Sequence, residues 1–163
     1  MQDIKDIKLG SIVTDLQSGY EGTATARVEL FSGNVQYAIT PKAAKGAEKF
    51  PEQMNFDAAT LKVKGKGISE LAQEPQPTGI EIGDEVECIL SGFKGVVSMK
   101  STFMNGCVYF DVTKPENATK KQPAESMFIS STRLKLVKAK KITPIKASVK
   151  APGGPSTRTM RAN

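Results

Sequence analysis

The stretch Ile7–Ile39 occurs twice in this chain. Sliding the sequence by 73 residues lays it on Ile80–Val112 without a gap, so that Ile7, Leu9, Gly10 and Val13 meet Ile80, Ile82, Gly83 and Val86. The turn Gly19-Tyr20-Glu21-Gly22 meets Gly92-Phe93-Lys94-Gly95, and Gly33 through Ile39 meets Gly106 through Val112. Further on, Met54, Leu61, Lys62 and Val63 meet Met127, Leu134, Lys135 and Leu136. Apolar matches alone could be chance, but four glycines and two turns in one frame are not. The chain is an internal duplication, and its fold must be one small unit built twice.

The duplication keeps glycines and alternating apolar residues, which describe a backbone, and no reactive side chain. In the first copy, Ile7–Val13 reads as a strand entering the glycine-bounded turn 19–22, whose Tyr20 can plug one end of a small barrel. From Thr23 to Leu30 the pattern has a period of two, with Ala24, Ala26, Val28 and Leu30 on the inner face. The second copy supplies Val97, Met99, Ser101 and Phe103 for the same face. A turn follows at Phe31-Ser32-Gly33-Asn34 and at Met104-Asn105-Gly106-Cys107, the latter an Asn-Gly hairpin signal. The return strand turns Val35, Tyr37 and Ile39 inward, matched by Val108, Phe110 and Val112. A polar excursion ends in a single helical turn, capped by Asp57 or Ser130, before the closing strands Leu61-Lys-Val63 and Leu134-Lys-Leu136.

Four or five short strands, a long hairpin and a one-turn helix before the last strand give an all-β fold of two tandem SH3-like small β-barrels. The expected organisation is a first SH3-like barrel over 1–64, a linker over 65–79 and a second barrel over 80–137. Residues 138–163 then form an extended basic C-terminal arm. Units of roughly 60–65 residues are only marginally stable alone, so each copy should lean on its neighbour or on a larger partner.

The charge is segregated in the same way. The whole chain carries 23 Lys and Arg against 17 Asp and Glu. All 17 acids and 16 of the bases fall in 1–137, for a net −1, which leaves seven bases and no acid beyond. Those seven are Lys138, Lys140, Lys141, Lys146, Lys150, Arg158 and Arg161, interspersed with Ile142, Ile145 and Val149, and together they form the expected partner-binding arm. Its Pro, Gly and charge content cannot build a core.

The chain has no histidine, so the commonest proton shuttle and metal ligand is missing. Two cysteines 19 apart, Cys88 and Cys107, do not make a zinc site, and they read as small thiols in a reducing compartment. Asp84 and Glu85 read as a solvated edge. The turn glycines Gly19, Gly22, Gly33, Gly92, Gly95 and Gly106 lack the Gly-Lys-Ser/Thr ending of a phosphate loop and are assigned to turns or close packing. No catalytic residue, cofactor site or metal site is expected, and the chain is read as a non-enzyme. No apolar run approaches the ~20 residues that span a bilayer, and Met1–Asp6 shows no signal-peptide core. The rival to a protein partner is nucleic acid: Arg27, Lys94, Lys100 and Tyr109 could lie on outer faces. The copies are not basic, however, and the outward aromatics look too few for a stacking platform.

The run Ile7–Ile39 resembles small proteins encoded among the virion-morphogenesis genes of tailed bacteriophages. Leu9-Gly10, Asp15, Gly19-Tyr20-Glu21-Gly22, Ala26-Arg27 and Gly33-Asn34-Val35-Gln36-Tyr37 carry the likeness, while the second copy keeps the glycines, Phe93 and Val108. The resemblance implies a virion structural protein, first a capsid decoration or cement protein and otherwise a neck or tail part. A KOW-like nucleic-acid-binding module is the alternative from another class. The implied partners are the major capsid protein, other virion proteins or further copies of itself, with nucleic acid second and no membrane. The implied location is the virion, assembled in a host bacterial cytoplasm.

Overall fold

The computed structural model describes residues 6–114 and 125–139. One strand order is laid down twice. The first copy has β1 (Ile12–Asp15), β2 (Glu21–Leu30), β3 (Val35–Thr40), β4 (Met54–Asp57) and β5 (Leu61–Gly65). The second has β6 (Glu85–Cys88), β7 (Lys94–Phe103), β8 (Val108–Thr113), β9 (Ser126–Ser130) and β10 (Leu134–Lys138). The offset of 73 seen in the sequence relates the first residue of every strand to its counterpart except at β9, which starts one residue early. It also relates the 3-10 turns Ala58–Thr60 and Ser131–Arg133 that precede the last strands. Those turns form without the expected caps, since neither Asp57 nor Ser130 makes a side-chain capping bond.

Within each copy the first strand pairs with the second and the fifth, and the second, third and fourth form a meander, all antiparallel. Glycine makes this compact. Gly19, Gly33, Gly92 and Gly106 take φ of 75°, 88°, 71° and 80°, the left-handed region that side chains with a Cβ avoid. Gly22 and Gly95 serve differently: a Cβ there would lie 2.5 Å from the Thr40 carbonyl oxygen and 2.6 Å from that of Thr113, so two strands cross with nothing between them.

Each copy has its own apolar cluster. Val13, Ala24, Tyr37, Ile39, Ala58 and Leu61 gather with Ile7 in the first. Val86, Cys88, Val97, Phe110, Val112, Ile129 and Leu134 gather with Ile80 and Val108 in the second. Tyr20 and Phe93 pack against these clusters from the glycine turns. Buried Tyr37 satisfies its hydroxyl by accepting from the Ile7 amide at 3.0 Å.

Two expectations are corrected. The copies are not separate closed barrels: all ten strands belong to one antiparallel sheet, and it does not close. The reason is strand length. β2 is 10 residues long but β1 only 4, so the second half of β2 keeps a free edge, as does that of β7. These two edges pair with each other, Ala26 to Phe103 through Leu30 to Met99. The second correction concerns which side chains point inward. The register slips between Ala24 and Ala26, and between Val97 and Met99, leaving Thr25 and its counterpart Ser98 as bulged residues. Past each bulge the alternation is inverted relative to the core. Ala26, Val28, Leu30, Met99, Ser101 and Phe103 therefore face away from both clusters, although the unbroken period of two placed them inside.

Gly65, expected to open the linker, instead ends β5, and residues 66–79 hold no strand but a 3-10 turn, Ser69–Leu71. This segment is fastened to both copies: Ile68 donates to the Gly10 carbonyl at 2.9 Å, and Gln73 to that of Met104 at 2.8 Å.

Candidate protein-interaction face

The β2–β7 ladder places Val28 opposite Ser101, its own counterpart in the repeat, with Arg27 opposite Thr102 and Glu29 opposite Lys100. Under the 73-residue shift the first pair maps onto itself and the other two exchange. The two copies thus meet on a pseudo-two-fold axis, the arrangement of an isologous dimer interface within one chain. Through it runs a six-stranded sheet in the order β4-β3-β2-β7-β8-β9, and one row of it crosses all six strands: Asp57, Gln36, Val28, Ser101, Tyr109 and Ser130.

Paired residues share a face, so the ladder registers assign every side chain of this sheet. The core side carries Tyr37, Arg27 and Thr102 in one row and Glu29, Lys100 and Phe110 in the next. Arg27 sits 2.8 Å from Glu29 and 3.4 Å from Asp6, and Lys100 lies 4.0 Å from Glu29. Burial would lower the Arg27 pKa, but the Glu29 carboxylate outweighs it and the net shift is upward. Arg27 and Lys100 are thus committed to an ion-pair chain at the junction rather than presented on an outer face. Lys94 pairs with Glu87 at 3.4 Å.

The opposite side carries three rows. Beside the central one lie Asn55, Ala38, Ala26 and Phe103 on one flank, and Leu30, Met99, Asp111 and Phe128 on the other. Ala26, Ala38, Val28 and Ser101 are buried in its middle. At the second-copy end three rings meet: Tyr109 and Phe128 stack with centroids 4.9 Å apart and planes 16° apart. Phe103 stands edge-on to both, at 5.7 and 6.5 Å. The outward aromatics that seemed too few form one cluster, because the bulge at Ser98 delivers Phe103 to them. Among the described residues, these three rows contain two acids, Asp57 and Asp111, and neither Lys nor Arg.

The unclosed sheet leaves a seam in each copy, between β4 and β5 and between β9 and β10. On the strands that bound it, Met54 and Met127 are 43% and 41% exposed, and Val63 and Leu136 are 47% and 46% exposed. These pairs remained apolar and equally exposed in both copies.

The side chains singled out for chemistry are otherwise engaged. Asp84 is 3% exposed, not on a solvated edge, and accepts the Glu81 amide at 2.8 Å. Asp15 accepts the Ser18 amide at 2.8 Å and hydroxyl at 2.6 Å. Burial pushes the Asp15 carboxyl up, but hydrogen bonds from Ser18, Thr60 and Gln17 more than reverse that, and it ends below its ordinary value. Cys88 occupies the equivalent cradle. The Ser91 hydroxyl and the Ser91 and Leu90 amides bring its thiol down from 9.0 to about 7. Cys107 is free and half-buried. Among the described residues no three His, Cys, Asp or Glu stand together as a metal site, and no helix is long and apolar enough to cross a membrane. Of the basic arm, Lys138 ends β10. Lys140, Lys141, Ile142, Ile145, Lys146, Val149, Lys150, Arg158 and Arg161 lie outside the described residues.

No protein-family model, curated protein or solved structure matches the chain.

Proposed function

We propose that the protein is a structural component of a tailed-phage virion that works by binding other proteins, foremost as a capsid decoration or cement protein. Each copy is read as an SH3-like barrel opened along one seam, since the order β5-β1-β2-β3-β4 with a 3-10 turn before the last strand follows that layout. The observation that carries a protein partner over nucleic acid is the outer sheet face. It is broad, rich in apolar and aromatic groups, and among the described residues holds two acids and no base, a poor match for phosphates. The run Ile7–Ile39 supports the virion class by its resemblance. Fusing two copies in one sheet produces a rigid plate, and seams of the same lining in each copy suit a partner that offers the same element repeatedly, as a shell does.

The experiment is quantitative recovery of the protein with intact particles, alongside a salt titration against empty capsids and against duplex DNA. A fixed ratio to the major capsid protein supports the proposal. Tight DNA binding that weakens steeply with salt, with no affinity for particles, overturns it in favour of the KOW-like module.

A further inference from the structure

The two copies differ in chemistry at one spot of the outer face. Where the first copy has Leu30, Gln36, Ala38 and Asn55, the second has Phe103, Tyr109, Asp111 and Phe128. These four positions are scattered along the chain, yet the ladders bring all of them to one end of the outer face. Three became aromatic and touch each other, and one became an acid. None contributes to either apolar cluster, so the core does not require the change.

The acid is the informative member. Asp111 is half-buried between Met99 and Phe128, its cross-strand neighbours. The hydrogen bond at this residue, from the Ser98 hydroxyl at 3.3 Å, goes to its main-chain carbonyl. Burial raises its carboxyl pKa, and among the described residues no hydrogen bond or cation acts against it. A half-buried carboxylate beside stacked rings costs stability unless a cation completes it. Phe128, over half of it exposed at 51%, leaves the group accessible from solvent.

We propose that Phe103, Tyr109, Phe128 and Asp111 form a receptacle for a lysine or arginine side chain presented by an extended, apolar-flanked segment of a partner protein. Ring faces attract a cation through their quadrupole, the carboxylate supplies the counter-charge, and the apolar flanks of the segment cover half-buried Leu30 and Met99. A nucleic-acid strand would bring phosphates to a face whose charged groups are both acids. This assignment rests on reading the face as protein-binding, not on the virion class.

The test follows the ring signals of Tyr109 and Phe128 by NMR in the full chain. The probes are a short synthetic peptide alternating Lys and Val, its Glu/Val counterpart, and an oligothymidylate. Asp111→Ala, Tyr109→Gln and Phe128→Asn restore what the first copy carries at the same positions, so folding should survive them. The expected result is saturable shifts with the Lys peptide alone, with affinity reduced about five-fold or more by Asp111→Ala and by Phe128→Asn. Equal binding of the Glu peptide, a preference for the oligonucleotide, or unchanged affinity in Asp111→Ala would overturn the assignment. A full chain with its six Lys and Arg beyond residue 139 replaced by Gln runs beside it. If its ring signals differ from the parent's before any peptide is added, the occupant is the chain's own segment and the partner assignment falls. Particle recovery reads the virion proposal separately and can fail without touching this one.

Discussion

Gly22 and Gly95 should resist replacement for a reason distinct from backbone conformation. A Cβ at residue 22 would stand 2.5 Å from the Thr40 carbonyl oxygen and 2.7 Å from its carbon, against 3.4 Å for ordinary contact. Strands β2 and β3 would have to part locally by about 0.9 Å, the difference between those distances. Overpacking of this kind costs about 1–3 kcal/mol, and the strained ladder bonds bring roughly a further 1 kcal/mol. Gly22→Ala and Gly95→Ala should therefore each lose about 2–4 kcal/mol. Gly19 and Gly92 provide the contrast. They hold φ of 75° and 71°, but a Cβ there meets nothing within 4 Å. Gly19→Ala and Gly92→Ala should lose only about 1 kcal/mol, the cost of one left-handed residue. Urea unfolding followed by far-ultraviolet circular dichroism separates the two classes. Losses below about 1 kcal/mol at 22 and 95, or equal losses at 19 and 22, would refute the close-approach reasoning.

Cys88→Asp should fold, because Asp15 already fills the same cradle with Ser18 as donor, whereas Cys88→Val should be clearly destabilised; thermal melts of both variants decide it. The Cys88 thiol titrates lower in the folded chain than its ordinary 9.0, at about 7. It thus favours the folded state above 9.0, and that contribution is lost as pH falls through about 7. Melting temperatures across this range should show the dependence in the parent and not in Cys88→Ser. Arg27→Ala leaves half-buried Glu29 with Lys100 at 4.0 Å as its remaining ion-pair partner and should cost about 1–3 kcal/mol. An effect under about 0.5 kcal/mol in denaturant would mean that the ion-pair chain does not brace the junction.

The strand order was legible in the sequence because glycine at fixed spacing and a period of two are backbone properties, and the duplication printed both twice. The turns at Gly33 and Gly106 followed directly. The outer face was not legible, because a bulge changes register without changing the alternation. Ala24, Ala26, Val28 and Leu30 read as one stripe, yet Thr25 divides them between two faces. The aromatic cluster was hidden for the same reason. Phe103 was assigned inside, and Tyr109 and Phe128 meet it only through ladder register. The junction follows from strand length: ten residues in β2 opposite four in β1 must leave an edge looking for a partner.

The fusion of the two copies on their pseudo-two-fold axis underlies everything said of the outer face, and a disulfide reads it directly. Val28 and Ser101 are direct cross-strand partners, which places their Cα atoms about 4.5–5.5 Å apart, within disulfide reach. In a chain with Cys88→Ser and Cys107→Ser, the pair Val28→Cys and Ser101→Cys should oxidise quantitatively within one molecule. Gly19→Cys with Ser101→Cys, which the ladder does not bring together, should not. Non-reducing mass spectrometry of the dilute protein gives the answer. A monomer two hydrogen atoms lighter, with residues 28 and 101 in one cross-linked peptide, is the predicted result; free thiols or only intermolecular dimers would contradict the shared sheet.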